Sequence, residues 1–196
     1  MELLPPRDLM PGRLVLVKHS HVDVIPGTPA RTWRLSAEGR RRAALLADRL
    51  RDIQVARILS SVEPKAVETA AIVAAAHGVP LVTVPGLHEH ARERVPYLGA
   101  EEFEAAVARL FAEPGHLVFG EESADAAATR FAEALVGAVG DGDATDDEVV
   151  VAHGTVTALH VSRVAGVEAF PLWRSLGLPP YVVLSDRTVE VVSRIV

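Results

Sequence analysis

Short β-branched and aliphatic runs alternate along this chain with stretches in which apolar residues recur every three or four positions. That alternation of periods predicts an α/β organisation. Residues 13–18, Arg-Leu-Val-Leu-Val-Lys, read as a buried first strand with His19 at its C-terminal end. Ser36 is placed to cap a helix whose apolar face runs through Leu46, Leu50 and Ile53, and residues 57–60 read as a second strand. Pro64 suits the first turn of a helix over residues 66–76 that Gly78 closes, and residues 80–85 follow as strand three. The order so far is βαβαβ.

Residues 86–99 break the pattern with two histidines, Glu89, Glu93, Arg92 and Arg94, a loop of the kind that carries function. Residues 100–112 and a stretch from the cap Ser123 to about Val139 read as covering helices. After an acidic turn at 141–147, residues 148–152 form a fourth strand that delivers His153-Gly154 to a helix continuing to Val164. Two last runs, 181–184 and 189–192, flank a turn as an antiparallel hairpin at the sheet edge.

Composition sharpens this picture. The 196 residues match the usual size of one domain, so the expectation is a single unit over residues 1–196. They are 49% hydrophobic and only 5% aromatic, as suits a mostly parallel sheet covered by helices in a three-layer α/β/α arrangement. A net charge of −6 argues against nucleic acid or anionic membrane as a partner. The densest basic run, residues 40–42, falls on a helix beside Glu38 and reads as a solvated face. The absence of cysteine removes disulfides, thiolate metal sites and a cysteine nucleophile. Three prolines and charges interrupt residues 1–11 where a signal peptide is apolar, and no later run is long enough to span a bilayer, so a cytoplasmic location is expected. Oligomeric state is not legible.

Chemistry enters with the two histidines, because ligands of open α/β sheets bind outside the carboxyl ends of the strands. His19 and His153 both follow strands, which would bring them to one crevice. A competing arrangement takes His19, His21 and Asp23 with His88 and His90 as metal ligands, although it leaves His153-Gly154 without a role.

Six segments in order resemble the histidine phosphatase (phosphoglycerate mutase-like) superfamily. Leu14-Val-Leu-Val-Lys-His-Ser20 resembles its nucleophile strand, and Leu35-Ser-Ala-Glu-Gly-Arg40 the opening of its first helix. Ser60-Ser-Val-Glu-Pro-Lys-Ala-Val-Glu-Thr-Ala70 resembles the Ser-[Ser/Pro]-x-x-x-Arg-Ala-x-x-Thr-Ala segment. Leu87-His-Glu89 resembles the Leu-x-Glu that supplies a proton donor, and Glu122-Ser123 a signature before a helix. Residues 149–159, with His153-Gly154, resemble the second-histidine motif of the branch holding mutases and small-molecule or protein phosphatases.

The resemblance implies a phosphomonoester hydrolase without metal or other cofactor, acting on a small-molecule or protein phosphomonoester. His19 would accept the phosphoryl group and Glu89, its pKa raised by the phosphate dianion, would protonate the leaving alcohol. Lys18, Lys65, protonated His153 and Arg92 would hold the phosphate oxygens. Lys18 and Lys65 stand where most relatives have arginine, and Ser20 where they have glycine. Two alternatives share the fold, a mutase-like phosphoryl transferase and a phosphate-binding module without turnover. The short segment after the last strand favours hydrolysis over a mutase lid. Residues 91–122 are expected to wall the substrate site.

Overall fold

The computed structural model describes residues 13–140, 147–177, 179–185 and 188–192. The segment read as unlike a signal peptide and all of the acidic turn except Asp147 lie outside them. Six strands form one sheet: β1 (Leu14–Lys18), β2 (Ile58–Ser60), β3 (Leu81–Thr83), β4 (Glu148–Ala152), β5 (Tyr181–Ser185) and β6 (Thr188–Val192), in the order β3-β2-β4-β1-β5-β6. The first four are mutually parallel, and β5 and β6 add an antiparallel edge. The α/β class and mostly parallel sheet match the expectation from sequence.

Strand residues alternate between two buried faces. Leu14, Leu16, Leu59, Val150 and Ala152 pack on one side with α4 (Ala124–Gly140), α5 (Gly154–Ala165) and Leu110 of α3 (Ala100–Ala112). Val15, Val17, Ile58, Val149 and Val151 pack on the other with α1 (Ala37–Arg49) and α2 (Pro64–His77). Both faces of β1 and β4 are therefore dry, which explains their uninterrupted aliphatic runs.

The punctuation works as the residues require. Ser36 Oγ accepts from the Gly39 N–H at 3.0 Å, Pro64 opens α2, and Gly78 ends it in the left-handed region at φ 67°. Two boundaries differ from the sequence reading. Helix α1 ends at Arg49, so Ile53 reaches the same core from a turn, and β3 shrinks to three residues between its flanking prolines. A seven-residue helix α6 (Ala169–Ser175) was not anticipated. The basic run is a surface face, with Arg40 paired to Glu68 and both Arg41 and Arg42 to Glu38.

This topology positions the site. β1 and β4 are adjacent and parallel with Lys18 opposite Ala152, yet β1 leads to α1 on one face and β4 to α5 on the other. The chain departs in opposite directions from neighbouring strand ends, which opens a crevice at the residues that follow, His19 and His153. No helix of the described residues is long and apolar enough to cross a membrane.

Candidate active site

The two histidine rings meet edge to face with centroids 5.3 Å apart. The His19 N–H donates to the Ala152 carbonyl at 3.0 Å, extending the β1–β4 ladder by one bond. His19 Nδ1 lies 2.8 Å from the Ser20 carbonyl, an acceptor, so this nitrogen carries the hydrogen and Nε2 keeps the lone pair. Burial, then the neighbouring His153 and Lys65, push the His19 pKa well below its ordinary value, which favours the neutral ring. The residue as a whole is half-buried.

Two motif residues hold this loop. Thr69 Oγ1 accepts from the Ser20 N–H at 3.1 Å while donating to Lys65 O one turn back in α2. Gly39 lets α1 approach closely, since a Cβ there would collide with the His21 carbonyl. Ser20 itself is fully buried.

His153 is fully buried, its Nε2 2.8 Å from Ser61 Oγ and 3.5 Å from Glu63 Oε1. By themselves the site's groups favour a neutral His153, whereas its protonated form is the one expected around a bound phosphoryl group. Burial and, after it, the charge of Lys65 push its pKa well down, and Glu89 opposes them only in part.

The cations are arranged unequally. Lys65 Nζ is buried and already engaged, donating to Glu63 Oε2 at 2.5 Å and to the Ala30 carbonyl at 2.7 Å. Lys18 Nζ turns to the Leu176 carbonyl at the end of α6, 3.2 Å away. Burial lowers the pKa of both lysines. Arg92 lies 3.8 Å from Glu89 Oε2, rests over the Phe103 ring at 4.9 Å, and keeps one terminal nitrogen, NH1, buried without a partner. It is the guanidinium that faces the site, whereas Arg94 is exposed at the rim.

Glu89 is capped rather than loose. Its Oε2 accepts from the Thr155 N–H at 3.2 Å, and its Oε1 from Val156 at 3.3 Å and His90 at 2.9 Å. A carboxylate at the start of α5 is stabilised by these donors and by the helix dipole. Burial alone would raise the Glu89 pKa, but Arg92 and the backbone donors together hold it well below the usual carboxylate range. The site's own groups therefore favour ionised Glu89, and the expected rise of its pKa is left to a bound phosphate dianion.

Sequence reasoning missed two residues. Glu63 occupies a variable position of its motif, yet its buried carboxylate takes the Lys65 ammonium, the Glu89 N–H at 2.8 Å and an edge of His153. Arg130 on α4 donates to the carbonyls of Gly86, His88 and Glu89 and pairs with Glu122 at 2.6 Å. Glu122 in turn accepts from the Ala91 N–H, so the Glu122-Ser123 signature serves to anchor the Glu89 loop. Gly120, at φ 82°, completes the junction, because a Cβ would strike the Ala91 carbonyl.

A cavity of about 240 Å³ is lined by Lys65, Glu63, Glu89, Arg92 and neighbouring residues, with Arg31 and Glu93 paired at 2.8 Å on its wall. The alternative metal cluster is not assembled: His88 Nδ1 faces its neighbour's carbonyl, and His90 Nε2 the Glu122 carbonyl. Among the described residues no group of three His, Asp or Glu side chains is placed to hold an ion.

Buried neutral histidines also set an expected acid response. His153 and His160 are at most 2% exposed, and burial lowers the His160 pKa to about 4, with Arg163 assisting. Below pH 6.5 the unfolded chain protonates both while the folded chain does not, so stability falls as pH drops. The slope is up to about 1.4 kcal/mol per pH unit for each histidine. Urea midpoints measured from pH 7.5 to 5 are expected to show it, and His160→Leu to remove about one proton's share. A flat profile would contradict the neutral assignment.

A sequence profile of the histidine phosphatase superfamily (branch 1) matches residues 27–183, a span that begins after His19. No curated sequence matches the chain at a significant level. Among solved structures, a mycobacterial glucosyl-3-phosphoglycerate phosphatase is similar at 22% identity and a TM-score of 0.71, over 93% of this chain and 98% of that one. A protein described as mycobacterial hydrolase 1 gives 20% identity and 0.76 over 93% and 98%. The α-ribazole phosphatase of Shigella flexneri gives 18% and 0.69 over 93% and 96%. Likeness at these identities concerns the fold, and the family assignment rests on the profile. The chain belongs to the histidine phosphatase superfamily, branch 1.

Proposed function

We propose that the protein is a phosphomonoester hydrolase that works through a phosphohistidine at His19. The observation that carries this reading is the placement of His19: its Nδ1 faces the Ser20 carbonyl, the residue is half-buried, and its ring lies 5.3 Å from His153 at adjoining strand ends. Nε2 attacks phosphorus in line, and the bond to the ester oxygen breaks. Arg92, Lys18, Lys65 and His153 surround the transferred group, whose charge the preorganised site stabilises without a metal. Water then attacks the phosphohistidine and releases inorganic phosphate.

Glu89 is the proton donor and later the base. Because the site favours its ionised form, the first proton arrives with the ester: a monoanionic ester beside ionised Glu89 and a dianionic ester beside protonated Glu89 are one protonation state of the complex. Glu89→Gln is expected to slow an alkyl ester at least about 100-fold but an aryl ester only a few-fold, since an aryl oxide leaves without help. The assay is done after exhaustive chelation. Loss of wild-type activity on chelation, or equal slowing of both esters, would contradict this assignment.

A module that binds phosphate without turnover is the second reading. One observation favours it, the prior engagement of Lys65 by Glu63 and the Ala30 carbonyl. Such a module would bind inorganic phosphate and hydrolyse no ester of a broad panel.

A further inference from the structure

Beside the cavity lined by Lys65, Glu89 and Arg92 lies a larger one of about 530 Å³, within the range of small-molecule sites. The two share Pro29, Ala30, Arg92 and Glu93, so the second adjoins the first. Its walls come from two loops. Residues 24–33 contribute Val24 and Trp33, and residues 92–103 contribute Tyr97, Leu98 and Phe103, with Phe119 behind. Four of the nine aromatic residues of the chain line this one space.

Thr28, Trp33 and Glu93 among its polar side chains are engaged with neighbours, and Arg92, Arg94 and Tyr97 supply the rest of its polar lining. Thr28 Oγ1 accepts from Trp33 Nε1 at 3.0 Å and donates to the Ile25 carbonyl at 2.8 Å. Glu93 is paired with Arg31. A polyhydroxylated alcohol lying against Val24, Trp33, Leu98, Phe103 and Phe119 would leave the hydroxyls that face them without partners, which is costly. Arg92 joins the two spaces, one end near Glu89 and its flat face on Phe103. A ring lying along Phe103 and Trp33 would continue that stack.

We propose that this cavity is the leaving-group subsite and that it takes an alcohol bearing a flat aromatic ring. The inference rests on the hydrolase reading for turnover, though not for binding. A ring of this kind excludes water from the ester oxygen while Arg92 holds the phosphoryl group, and sugar or glycerol esters are discriminated against.

The test compares 2-naphthylmethyl phosphate with glycerol phosphate on the full chain. The expected kcat/KM ratio is roughly 50-fold in favour of the naphthyl ester, the effect of removing about 100 Å² of ring from water. Leu98→Asp, in the wall of the larger cavity and not of the smaller one, is expected to cut this ratio roughly tenfold; Tyr97→Ala, at the rim, does so more weakly. A ratio near one, or equal loss on both esters, overturns the proposal. If no ester is turned over, the hydrolase reading falls and binding decides: naphthylmethylphosphonate is expected to bind more tightly than methylphosphonate by a similar factor, and equal affinities overturn the subsite. Phenyl phosphate and a phosphotyrosyl peptide carry the same ring. Preference for the free ester supports a small-molecule source of the ring and preference for the peptide a protein source, while failure of both to exceed glycerol phosphate overturns the proposal.

Discussion

His19→Ala is expected to lower turnover of any phosphomonoester by about four orders of magnitude or more, because removing the group that forms the covalent intermediate removes the whole two-step route. The fold is expected to survive. The His19 ring lies outside both core clusters, and its backbone N–H bond to Ala152 remains available to alanine. Phosphate binding should also survive, since Arg92, Lys65 and Lys18 stay in place, which separates loss of chemistry from loss of the site. An unchanged thermal midpoint with binding of inorganic phosphate but no turnover is the expected set of results. Turnover within tenfold of wild type would place the nucleophile elsewhere.

Glu63→Gln is expected to have two effects of opposite sign. The Glu63–Lys65 pair is at most 8% exposed, and breaking a buried pair by removing one partner costs about 3–5 kcal/mol. Glutamine still offers an oxygen to Lys65 or the Glu89 N–H, so the lower end of that range is expected, read as a lower urea midpoint. The same change removes a negative charge from beside Lys65 and His153, two of the groups proposed to hold the phosphate. At an effective dielectric near 20, a unit charge about 5 Å away is worth roughly 3 kcal/mol, and a third of that suffices for phosphate binding about fivefold tighter. The variant is therefore less stable alone, yet regains stability with phosphate more steeply than wild type. Titration calorimetry with inorganic phosphate checks the sign. Weaker binding would mean that Glu63 shapes the site through the Glu89 loop rather than through its charge.

Much of the architecture was legible because local signals and burial agreed. The aliphatic runs at 14–17 and 149–152 are buried on both faces, and Ser36, Pro64, Gly78 and Ser123 stand at helix ends. Helix α6 escaped because seven residues with Pro171 inside show no period long enough to read. The histidine pair was legible from its position after two strands. Its protonation states were not, since they depend on burial and on the α5 N–H groups that reach Glu89 from 66 and 67 residues away. Glu63 and Arg130 were hidden for a related reason: their partners include backbone groups 26 to 44 residues distant, and a backbone carbonyl or N–H leaves no mark in a sequence. The expected wall at residues 91–122 supplied one side of the larger cavity, while residues 24–33 supplied the other.

The most direct test of the phosphohistidine route is to quench wild-type protein during turnover of a labelled aryl phosphate and locate the label by peptide mass spectrometry. A phosphoramidate at histidine is lost in acid and stable in base, whereas a serine ester survives acid, and Ser20 is fully buried beside His19. The account predicts an acid-labile, base-stable label on the peptide carrying His19, absent from His19→Ala. Steady hydrolysis with no label at His19 under rapid quench, or an acid-stable label on another residue, would contradict it.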